Sequence, residues 1–131
     1  MYYGFRFHRP SFVSALTELP IRPVTLPSQG RSRCSNLSYW YREHTAKDQL
    51  PIVFIHGIGV GLHTYADFLA ELNSEVDGHQ GSGQAGVIAV EILSISSRIC
   101  PPALAVDTMR DEIRQIADGY GWREFVLVGH S

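Results

Sequence analysis

Three short apolar runs constrain this chain most: Ile-Val-Phe-Ile at 52–55, Val-Ile-Ala-Val-Glu-Ile-Leu at 87–93 and Phe-Val-Leu-Val at 125–128. A strand with one wet face alternates apolar and polar residues. These runs do not alternate, so each needs cover on both faces, the environment of a strand inside a parallel sheet. Segments of helical period separate them. Leu62, Tyr65, Leu69 and Leu72 fall on one helical face, with Thr64-x-x-Asp67 as a capping box. Met109, Ile113 and Ile116 form a second stripe within 108–118, with Thr108-x-x-Asp111 at its start and Gly119 where a left-handed terminal residue belongs. The order β-α-β-α-β predicts an α/β fold, a mostly parallel sheet with flanking helices. Upstream, Leu37-Ser-Tyr-Trp-Tyr-Arg42 has period two and predicts an antiparallel or edge strand with one face on the core.

The first 36 residues have a different character. Pro10, Pro20, Pro23 and Pro27 favour extended backbone, and residues 1–42 hold six arginines against one acid, Glu18. Residues 1–36 are therefore expected to form a basic, proline-rich arm ahead of a domain spanning 37–131. The prolines leave only 11–19 for a helix, which argues against a transit peptide. The whole chain carries a net charge of −2, which excludes a strongly basic nucleic-acid binder. No apolar run approaches the ~20 residues of a membrane span, and no signal-peptide core is present, so a cytoplasmic location is the default and the localisation is otherwise unknown. Cys34 and Cys100 are too few for a disulfide scaffold and read as free thiols. His8, His44, His63 and His79 lack metal-ligand spacing, so neither a metal nor another cofactor is expected. The glycine-rich stretch 78–86 has no P-loop lysine and reads as a surface connection before the next strand.

Chemistry concentrates after two of the apolar runs. Ile55-His56-Gly57-Ile58-Gly59-Val60-Gly61 leaves one strand and enters a helix, and Val128-Gly129-His130-Ser131 leaves another. In open α/β sheets ligands sit at such carboxyl ends. Glycines at 57, 59 and 61 let backbone N–H groups approach a forming negative charge, and a nucleophilic serine must be lifted off the sheet on a sharp turn. On that reading a side chain at Gly129 would collide with neighbouring elements.

With Pro51-Ile-Val-Phe-Ile-His-Gly-Ile-Gly59 followed later by Gly129-His130-Ser131, the chain resembles the N-terminal half of an α/β-hydrolase of the serine type. In that family a His-Gly loop supplies one oxyanion-hole N–H, and Gly-x-Ser-x-Gly makes the nucleophile elbow. The resemblance covers 37–131 and matches the first three elbow positions. It implies that Ser131 is the nucleophile and that the Ile58 N–H is an oxyanion donor. It also implies that His56 holds the loop and is not the base, and that His130 is a pocket-wall or buried polar residue. His63 and Tyr65, just after the loop, are candidates for the substrate entrance. The substrate class implied is a small ester, cleaved by an esterase-like or lipase-like reaction.

In the family order the acid and the base histidine follow the serine, so both are expected beyond Ser131, as is the second oxyanion donor. The expectation is an arm plus part of a larger domain, inactive as 131 residues. The strand at 125–128 is then expected to present an apolar edge prone to self-association. A non-catalytic binding remnant of the same fold is the alternative. A dinucleotide site is a weaker one, because Gly57-x-Gly59-x-Gly61 lacks the Gly-x-G-x-x-Gly spacing and Glu91 falls too far downstream.

Overall fold

The computed structural model describes residues 4–9, 29–31, 36–72, 83–96 and 102–131. The possible helix at 11–19, both cysteines, His79 and most of the glycine-rich stretch lie outside those residues. Six strands form one sheet: β1 (Arg6–Arg9), β2 (Gln29–Arg31), β3 (Ser38–Arg42), β4 (Ile52–Ile55), β5 (Val87–Glu91) and β6 (Val126–Gly129). Their order across the sheet is β2-β1-β3-β5-β4-β6. Two helices, α1 (Ala66–Glu71) and α2 (Val106–Gly119), complete an α/β architecture.

The sheet is mixed, with one described strand running against the other five. Strands β4, β5 and β6 run parallel to one another, and β1 and β2 pair in parallel. Strand β3 is antiparallel to both of its neighbours, β1 and β5. The cause is the connection at 43–51, which contains no helix. A chain without a crossover helix returns along the sheet in the opposite sense, whereas a parallel return needs a long crossover. Segments 6–9 and 29–31, which fall in the stretch read as an arm, join the sheet outside β3. His8 of β1 stacks on Tyr39 of β3 with ring centroids 4.8 Å apart.

The two crossovers run in opposite directions. The first leads from β4 to β5 through α1, and the second leads from β5 back past β4 to β6 through α2. Right-handed crossovers of opposite direction put their helices on opposite faces of a sheet. Accordingly, Ile116 and Ala117 of α2 pack with Tyr39, Val53, Ile88 and Val90 on one face. Leu62 and Leu69 pack with Phe54, Val87 and Ala89 on the other. This two-sided cover explains why 52–55 and 87–90 are continuously apolar. The run at 125–128 differs, because β6 is the edge strand of the described sheet and Val126 and Leu127 are exposed.

Helix boundaries depart from expectation in ways that side-chain chemistry explains. A 3-10 turn at Gly61–Tyr65 occupies the start of the expected first helix, leaving α1 only six residues. The Thr64 hydroxyl donates back to the Gly61 carbonyl (3.3 Å), so the capping box with Asp67 is not made. Helix α2 starts at Val106, which puts Thr108 inside its first turn with no side-chain cap. Its left-handed residue is Gly121 (φ 79°), not Gly119. There the Trp122 N–H reaches the Ala117 carbonyl (3.0 Å) and the Gly121 N–H reaches Asp118 (2.9 Å), the paired bonds of a Schellman ending.

Helix α2 also anchors β3. The buried Glu112 carboxylate accepts the backbone N–H groups of Asn36 (3.1 Å) and Leu37 (3.0 Å) and the Asn36 side-chain amide. Glu112→Ala would orphan the Leu37 N–H inside the protein. The expected cost is about 2 kcal/mol, read as a lower urea midpoint at unchanged m. A wild-type midpoint would show that the carboxylate does not hold this strand.

Candidate functional site

The two loops singled out in the sequence leave neighbouring strands at the same end of the sheet. Strands β4 and β6 pair in parallel with Ile55 opposite Gly129, and the His130 N–H continues the ladder to the Ile55 carbonyl (3.1 Å). His56-Gly57 and His130-Ser131 therefore start side by side. They also touch: a Cβ added at Gly57 would lie 2.8 Å from the His130 carbonyl oxygen. Glycine at 57 is thus required by the close approach of the other loop.

Gly129 has no such constraint. A Cβ there meets nothing within 4 Å among the described residues, so the expected crowding at this position is not found. Gly61 is a second required glycine. Its φ is +81°, and the Glu91 carboxylate occupies the space a Cβ would take.

Beneath the loop lies a buried polar network. The Ile92 N–H donates to His56 Nε2 (2.9 Å), so this nitrogen is an acceptor and the ring proton sits on Nδ1. From there it is donated to the Gly57 carbonyl (2.7 Å). Both ring nitrogens are therefore engaged, and at 4.0 Å the neutral imidazole and Glu91 form no ion pair. The Ser96 hydroxyl lies within hydrogen-bonding distance of Glu91 Oε1 (2.8 Å), the Ile92 carbonyl (2.7 Å) and His56 Nε2 (3.2 Å). Glu91 Oε2 accepts the Leu62 N–H (3.2 Å), and the Ile95 carbonyl accepts the Gly59 N–H (3.0 Å). The loop from His56 to Leu62 is thus tied to the end of β5 and the residues after it.

These bonds determine what the loop presents. Gly59 has spent its N–H internally, while Ile58 stands at the tip with its side chain 89% exposed. His130 is exposed and not buried. Its Nδ1 is hydrogen-bonded to the Tyr65 hydroxyl (2.8 Å), and Tyr65 packs on Phe54 with centroids 5.0 Å apart. His63, the other entrance candidate, is exposed and meets Trp40 edge-on at 5.5 Å. Ser131 is exposed beside His130.

Sequence reasoning did not assign Glu91 or Ser96 to this site. The available signal was Glu91 itself, a lone acid in an apolar strand. Among the described residues no group of three His, Cys, Asp or Glu side chains could hold a metal. No helix among them is long and apolar enough to cross a membrane.

The glycines separate experimentally. Gly57→Ala must push back the His130 backbone and is expected to cost roughly 1–3 kcal/mol in urea unfolding. Gly129→Ala, facing open space in a strand, is expected to leave the midpoint unchanged or raise it slightly. Equal losses at the two positions would contradict the packing described.

No protein-family model matches the chain, and no curated protein matches it significantly. Among solved structures the chain is similar to one titled as the crystal structure of a membrane phospholipase A, a novel bacterial virulence factor, at 21% identity and a TM-score of 0.48. The match covers 73% of this chain and 29% of that one, so the chain spans less than a third of that protein's length.

Proposed function

We propose that residues 37–131 carry the nucleophile and oxyanion portion of a serine-type acyl hydrolase with the α/β-hydrolase fold, residues 1–36 being an N-terminal extension. The observation that carries this reading is the pairing of Ile55 with Gly129, which sets the His56-Gly57-Ile58-Gly59 loop against the His130-Ser131 turn. In the proposed reaction the Ser131 hydroxyl attacks an ester carbonyl. The oxyanion that forms is stabilised by the Ile58 N–H, from a loop whose Gly59 and Leu62 N–H groups are already bonded. His56 orients that loop; with Nδ1 and Nε2 both engaged it is not free to take the serine proton. His130 and Tyr65 line the approach to the serine.

The dinucleotide reading is not favoured. It needs free N–H groups at a helix start, whereas the Gly59 N–H is bonded and the loop enters a 3-10 turn. The remaining alternative is a binding-only relative of the same fold.

A base and an orienting acid must act with Ser131, and we infer that residues 1–131 alone do not turn over. The experiment has two arms, both read with a short-chain nitrophenyl ester. The 131-residue chain is expected to show no cleavage that Ser131→Ala removes. Any longer product of the same transcript that supplies an acid and a histidine is expected to show such cleavage. Turnover by the short chain would overturn its inactivity; a stop codon with no turnover would leave the binding-only alternative.

The outer edge of β6, with Val126 and Leu127 exposed, is proposed as the contact through which two copies associate. Light scattering after gel filtration is expected to give a mass above 14.6 kDa, and a monodisperse monomer with a cooperative melt would refute the contact.

A further inference from the structure

Arg42 ends β3 at the opposite end of the sheet from the serine, paired with Val87 at the start of β5. Only 4% of it is exposed. Its guanidinium carbon lies 4.6 Å from the centre of the Phe5 ring, which covers one face of the planar group. Two of its nitrogens, Nε and Nη2, are buried and have no hydrogen-bond partner among the described residues. These two share one edge of the guanidinium, and their N–H bonds point the same way. That edge matches the spacing of two oxygens on a carboxylate or phosphate. Burial pulls the Arg42 pKa down from its ordinary value, a sign that the cation lacks a compensating charge.

The buried acids of the described residues are committed elsewhere. Glu91 holds the Leu62 N–H and Ser96, and Glu112 holds Asn36 and Leu37. The next residue, Glu43, is exposed. A ring face can partly stabilise a cation, but it satisfies neither N–H along the edge.

We propose that the Nε/Nη2 edge of Arg42 is a receptor for one oxyanion group, a carboxylate or a phosphate, held side-on by two parallel hydrogen bonds. The site is separate from the hydrolase reading and does not depend on it. The anion comes from solution.

The test is thermal melting of the full chain at fixed pH and ionic strength, with inorganic phosphate or acetate replacing chloride. Arg42→Lys and Arg42→Met are the comparison variants. One of the two probes is expected to raise the wild-type Tm, by about 5 °C at ten times its Kd and further with the logarithm of its concentration. The rise should shrink in Arg42→Lys, which lacks the two-donor edge, and vanish in Arg42→Met. The Arg42 Nε–H resonance, followed by NMR in the wild-type chain, gives a readout that needs no variant, and it should move on titration with the same probe. No rise in Tm with either probe, or an equal rise in Arg42→Met, would overturn the proposal.

Discussion

The carboxyl end of the sheet depends on the parallel ladder between β4 and β6. With Ile55 opposite Gly129, two segments more than 70 residues apart begin at the same height. The His130 N–H adds one more rung before the chains diverge. This register sets the height of both turns, and a one-residue slip would move Gly129 out of line with Ile55. The contact between Gly57 and His130 follows from it. Whatever chemistry occurs here, the relative placement of the loops is inherited from backbone hydrogen bonds in the sheet.

A second layer of order comes from below. His56, Glu91 and Ser96 are buried polar groups in an apolar setting, which is tolerable only when their hydrogen bonds are made. They are made to backbone as well as to one another, so the network fixes the path of the loop. This is a different task from acid-base catalysis, and the tautomer of His56 distinguishes the two. Its ring accepts from one backbone group and donates to another.

Much of this was legible in the sequence, and the rest was hidden for definite reasons. Continuous apolarity at 52–55 and 87–90 announced strands covered on both faces, because burial of a strand on two sides leaves no room for alternation. The aromatic alternation at 38–42 likewise announced β3. That pattern left open whether β3 would be an antiparallel or an edge strand; it runs against both neighbours and lies inside the sheet, the direction being set by the connection at 43–51. The capping boxes misled because Ser and Thr hydroxyls have several backbone acceptors within reach, and Thr64 bonds back to Gly61. Gly129 and Gly57 looked equivalent as letters. Which of them is crowded depends on the approach of the other loop, and only the folded chain contains that information.

Glu112 carries an implication for how the chain reaches this state. It clamps Asn36 and Leu37, just ahead of β3, from a helix 75 residues downstream in sequence. Bringing such distant segments together has an entropic cost that grows with the logarithm of the intervening length, so contacts of this kind form late and slow the search. During synthesis the β3 segment emerges well before its clamp. Asn36 and Leu37 therefore wait, unanchored by α2, until the helix has been made.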